Sequence, residues 1–190
     1  MKKYVGAISD TDILINLAKV DGFNVLENLF EEIIIPHFIY DVELRKKAGK
    51  QYGKINTKIQ EPNSIFKVVD RKKDFVVNKA AIPIIEEYNG IMGPGESECT
   101  GYAAALDIPI IVSDNVREFK YFDEEFIPLT HNSLLVLNVH FKQMEFYEGQ
   151  IIFNGINETL TQPLPLSFQE VCHRTKRQFN QKGWNDYLGL

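Results

Sequence analysis

Short β-branched runs alternating with stretches of helical periodicity constrain this chain more than any other feature. Residues 4–9 (YVGAIS), 33–35 (III), 65–69, 109–113 (PIIVS) and 126–129 are apolar runs of strand length, bounded by polar or turn-forming residues. Between them lie helical patterns. Residues 11–18 place Ile13, Leu14 and Leu17 on one face behind Asp10, a natural N-cap. A second helix is expected over 24–30, and a third runs from the Phe38–Ile39–Val42 stripe to Ala48. Residues 49–63 read as a long loop or a weak helix. The segment 74–88 is helical, with Pro83 expected to kink or split it. Residues 96–106 form a small-residue helix, and an apolar helix follows over 132–144. Strands that alternate with helices pair in parallel and need cover on both faces. The predicted fold is therefore a three-layer α/β/α sandwich with a short, mostly parallel central sheet. It occupies residues 1–147, with a helical C-terminal extension over 148–190, including a terminal helix over 168–186, packed on the domain or on a partner.

Charge narrows the function classes. Twenty-six acidic against 21 basic residues give a net charge of −5, so a polyanion cannot be held by bulk charge and needs a local patch. Two cysteines, Cys99 and Cys172, exclude a disulfide framework, and no Cys/His ligand spacing occurs. No apolar window has the roughly 18 residues of a membrane span, and the N-terminus lacks a signal-peptide core. A cytoplasmic protein without membrane contact is expected.

The acids carry the chemical information. Asp10 and Asp114 each directly follow an apolar strand, and in open parallel sheets ligands bind at that carboxyl edge. Glu96 opens a helix behind the glycine-flanked loop Gly93-Pro94-Gly95 and is aimed at the same edge. Taken singly, each has a structural role: Asp10 caps a helix, Asp114 starts a turn, and Glu96 favours the helix dipole. Together they repel, and a divalent cation bound by carboxylate oxygens removes the conflict.

These segments resemble a family. Ile8-Ser9-Asp10-Thr11-Asp12-Ile13-Leu14 is similar to the opening of a PIN domain, and Ile33-Ile34-Ile35-Pro36 with an acid-bearing helix is similar to its second element. Gly93-Pro94-Gly95-Glu96-Ser97-Glu98 and Ile111-Val112-Ser113-Asp114-Asn115, followed by Phe119, resemble its third and fourth. Residues 126–130 resemble its last strand, so the likeness covers about residues 4–144. The resemblance implies a Mg²⁺- or Mn²⁺-dependent ribonuclease with Asp10, Glu96 and Asp114 as metal ligands. Ser113, Asn115, Thr11, Asp12 and Glu98 are implied as supports or alternative ligands. It also implies an RNA substrate, and an antitoxin partner where the protein is a toxin of the VapC type; a homodimer is a further expectation.

One position departs from the family. Its second acid falls six residues after the strand-ending proline, and that position here is Val42, flanked by Asp41 and Glu43. At 100° per residue Phe38, Ile39 and Val42 share the buried face, and Phe38–Asp41–Val42 reproduces the family's relation of acid to core, which favours Asp41 over Glu43. Arg45, Lys46, Lys47 and Lys50 form a basic run that suits RNA phosphates and equally a solvated helix face. Two other readings stand beside the nuclease. A PIN-like RNA- or protein-binding module with weak catalysis follows from the missing acid at Val42. A haloacid-dehalogenase-type phosphatase follows from Asp10-Thr11-Asp12 after a strand, although Ser113-Asp114-Asn115 lacks that family's Gly-Asp arrangement.

Overall fold

A computed structural model describes residues 4–69 and 73–190. The expected strands are present as β1 (Tyr4–Ser9), β2 (Phe30–Ile35), β3 (Phe66–Val68), β4 (Ile110–Val112) and β5 (Ile127–Leu129). They form one all-parallel sheet in the order β3-β2-β1-β4-β5. Chain order reverses between β1 and β4, and this is where such sheets place their ligands. The helices are α1 (Thr11–Lys19), α2 (Asn24–Glu27), α3 (Leu44–Lys47), α4 (Tyr52–Gln60), α5 (Phe75–Tyr88), α6 (Pro94–Leu106), α7 (His131–His140), α8 (Phe146–Thr159), α9 (Phe168–Gln181) and α10 (Asn185–Leu188). They cover both sides of the sheet, as the sandwich requires.

On one side α6 lies on β1 and β4 with α5 against it. The contact is close because Gly101 carries no side chain: a Cβ there would overlap Ile85 and press on the Ala81 carbonyl. Pro83 does not split α5. The helix runs through it because Pro83 is on the exposed face, where water can satisfy the carbonyl it leaves without a donor. On the other side α1 packs with α4, α7 and α8, and α9 closes over α7 and α8. Residues 49–63, left open between loop and weak helix, hold α4, which buries Ile55 and Ile59.

The C-terminal helices join the same hydrophobic core. Phe153, Ile156, Phe168, Phe179 and Leu188 are fully buried within it. Tyr4 at the start of β1 donates its hydroxyl proton to the Leu188 carbonyl, at 2.8 Å. The pattern weakens after Glu148 and does not delimit α8 within the helical extension; its start is fixed by a capping box between Glu145 and Glu148. A second box, Ser167 with Glu170, starts α9. Among the described residues no helix is long and apolar enough to cross a membrane.

Truncating Phe179 to Ala removes a buried ring that packs on Trp184. It should lower the unfolding free energy by about 3–4 kcal/mol in urea denaturation. A loss under about 1 kcal/mol would mean that the extension docks loosely.

Candidate active site

Asp10 is the last link between β1 and α1. Its extended backbone ends the strand, its N–H bonds the Val112 carbonyl of β4, and its side chain caps α1 by accepting from the Thr11 N–H at 2.6 Å. Its other oxygen accepts from Ser113 Oγ at 3.1 Å, across the β1–β4 boundary. Ser113 Oγ in turn accepts from the Asn115 N–H, and Asn115 Nδ2 donates to Glu96 Oε1 at 2.5 Å. A continuous chain of hydrogen bonds thus runs from β1 through the loop after β4 to the start of α6.

The second acid enters from another direction. Residues Ile39–Glu43 form a π-helical turn, closed by the Leu44 N–H bonding the Ile39 carbonyl five residues back. The turn inserts one residue relative to an α-helix. The fully buried pair is accordingly Ile39 and Leu44, at five-residue spacing, while Phe38 and Val42 are only partly buried. The expectation at 100° per residue that Phe38, Ile39 and Val42 share the buried face is therefore corrected. Asp41 is carried outward, pairing with His37 at 3.0 Å and Arg45 at 3.2 Å with 33% of its side chain exposed. Glu43 turns inward to 12% exposure and accepts from Thr11 Oγ1 at 2.7 Å. Its carboxylate lies so near Gly95 that a Cβ there would come within 2.9 Å of Oε2. The glycine-flanked loop thus leaves room for a carboxylate at the N-terminus of α6, where the helix dipole favours it.

The expected convergence of Asp10, Glu96 and Asp114 is met only in part. Asp114 Oδ1 accepts from the His131 backbone N–H and Nδ1–H at 2.9 and 2.8 Å, and Oδ2 accepts from Asn16 at 2.7 Å. Burial pushes its carboxyl up, yet His131 and Asn16 outweigh that and hold it below the usual range. Both oxygens are thereby committed, and it is Asn115 that reaches Glu96. Asp12 is half-buried at the rim, raised by burial and by Asp114 and Glu43 and lowered by Lys47. Glu98 is buried in α6, two residues and about 200° beyond Glu96. Among the described residues no three His, Cys, Asp or Glu side chains stand ready-grouped as a metal site.

The basic run divides. Lys47 pairs with Glu43 at 3.0 Å and Arg45 with Asp41, while Lys46 and Lys50 are exposed. Three participants escaped sequence reasoning: Asn16, His131 and Glu118, which accepts from the Gly93 N–H at 3.0 Å. Asn16 had a signal as the one strongly polar residue on the buried face of α1, and His131 had one as the second residue after β5. Glu118 had none.

A family model described as a PIN domain matches residues 6–142. The chain belongs to the PIN-domain family. PIN domains are generally nucleases and typically bind divalent metal ions. Membership sets aside the dehalogenase-type phosphatase. No curated protein and no solved structure matches the chain. The donor set suits the metal ions typical of a PIN domain, because Asp10, 3% exposed, lies in the fields of Glu96, Asp12 and Glu43. Burial first, then those charges, push its carboxyl up to about 8. Hard carboxylate and amide oxygens that crowd one another in this way are donors for Mg²⁺ or Mn²⁺.

A carboxyl raised in the folded state binds a proton more tightly than in the unfolded chain, so its contribution to stability is present below the unfolded pKa and lost as pH rises towards 8. Asp10→Asn removes that loss. In chelator it should stabilise the fold by roughly 2–4 kcal/mol at pH 7.5, with the gain shrinking towards pH 4.5. Urea denaturation at the two pH values measures this. A variant no more stable than the parent at pH 7.5 contradicts the buried-acid account.

Proposed function

We propose that this PIN domain is a Mg²⁺- or Mn²⁺-dependent ribonuclease that hydrolyses phosphodiester bonds in single-stranded RNA. The carrying observation is the arrangement of Asp10, Glu43 and Glu96 around the β1–β4 edge, with Asn115 and Thr11 bonded to two of them. Asp10, Glu43 and Glu96 would hold the ion, with the Asn115 carbonyl oxygen as a neutral donor. Such an ion supplies a water made acidic enough to attack and a counter-charge for the leaving oxygen.

The chain's own groups have separable tasks. Thr11 and Ser113 fix the rotamers of Glu43 and Asp10, and Asn115 orients Glu96. Asp114 works from behind, since His131 and Asn16 hold it as an anion near Asp12. Lys47 offers a positive group at the mouth for a substrate phosphate, and Lys46 and Lys50 extend it. The binding-module reading rested on the missing acid at Val42, and the inward Glu43 supports a catalytic site instead. If the protein acts as a toxin, an antitoxin or a second copy of the chain has the exposed Phe75, Val76 and Ile82 of α5 as apolar surface to cover.

The test is cleavage of labelled single-stranded RNA by protein free of contaminating nuclease. Activity should require Mg²⁺ or Mn²⁺ and stop with EDTA. Asp10→Asn, Glu43→Gln and Glu96→Gln should each lower kcat by about 100-fold or more, whereas Asp41→Asn should stay within about threefold. Full activity in Glu43→Gln with loss in Asp41→Asn would reverse the assignment, and cleavage that survives EDTA would refute the metal mechanism.

A further inference from the structure

Beside the acid cluster, at the same sheet edge, the loop after β4 and the start of α7 face the C-terminal extension across a cleft of about 400 Å³. Val116, two residues past Asp114, forms one lip and is 60% exposed. Asn132, next to His131, lines the same wall, and its Oδ1 is buried without a hydrogen-bond partner among the described residues. Leu164, Arg174 and Gln178 supply the opposite side from the α8–α9 connection and α9, with Pro128 of β5 between. The volume falls in the range of small-ligand sites and suits one nucleotide. Its chemistry is divided as a nucleotide's is, with an apolar wall, amide donors and acceptors, and one guanidinium.

The charge arrangement favours a nucleic-acid occupant. The chain is net acidic, and the acids of the site repel a phosphate backbone, so a strand approaching it needs cations placed beside the cluster. Many basic side chains here are committed: Arg45, Lys47, Lys54, Lys58 and Lys182 all pair with acids. Arg174 is exposed and makes no hydrogen bond or ion pair within 4 Å among the described residues; the Glu170 carboxylate one turn before it lies in its field but is bonded by the Ser167 N–H and hydroxyl. Lys182 of the α9 C-cap pairs with Asp123 at 2.7 Å, which pins the end of the helix to the segment after β4.

We propose that this cleft seats the nucleotide next to the scissile phosphate of a single-stranded nucleic acid, with Arg174 on its phosphate and its base between Val116 and Leu164. The proposal rests on the nuclease reading and adds that the C-terminal extension is part of the substrate site. Binding of a fluorescent RNA of roughly eight nucleotides, measured in EDTA so that nothing is cut, tests it apart from catalysis. Arg174→Ala should weaken binding about five- to tenfold and reduce the slope of log K against log salt by about one. Val116→Trp, which fills the cleft mouth, should weaken it at least as much, and KM for cleavage should rise in step. Lys182→Gln, which breaks the pin, should weaken binding by a smaller factor. Unchanged affinity in both Arg174→Ala and Val116→Trp, in protein that still cleaves RNA, would overturn the cleft while leaving the nuclease standing. An absence of both RNA binding and cleavage in the parent would overturn both.

Discussion

Carboxylates crowded at one edge of a parallel sheet repel each other, and most of the local structure around β1 and β4 answers that repulsion. Asp10 cannot turn to solvent, because it ends β1, caps α1 and bonds Ser113. Glu43 is met by the N-terminus of α6 and by Lys47, and Glu96 by the Asn115 amide. Asp114 is drawn away from the others by His131 and Asn16. What these contacts leave unneutralised is concentrated on Asp10, whose carboxyl is pushed up to about 8. That crowding costs folding stability at neutral pH, the usual trade between stability and function at such clusters.

The π-turn decides which acid faces the cluster. One inserted residue between Pro36 and Leu44 rotates the helix so that Glu43, not Asp41, faces Thr11, and so that Leu44 returns to the core. A π-turn costs stability relative to an α-helix and persists where a function holds it in place. Here the same turn places Lys47, one α-helical turn further on, against Glu43.

Much of this was legible in the sequence. Each strand was visible because β-branched runs buried on two faces need no alternation, and Asp10 and Glu96 were visible because each follows a strand or a glycine-flanked loop. The outward placement of Asp41 was not legible because periodicity assumes 100° per residue, and a single π-turn breaks that assumption without any change in composition. The five-residue interval between Ile39 and Leu44 was the available clue. The bounds of α8 were hidden because its buried residues, Phe153 and Ile156, are few among exposed Tyr147 and Ile151. The bonds that Asp114 makes could not be read, since its partners Asn16 and His131 are distant in sequence and come together only through the sheet.

The most direct test of the account is a crystal soaked in Mn²⁺ and examined by anomalous diffraction. The account predicts a peak bounded by the carboxylates of Asp10, Glu43 and Glu96, with Asp41 outside its coordination sphere and Asp114 still bonded to His131. A peak coordinated by Asp41, or by Asp114 released from His131 with Glu43 turned away, would contradict it.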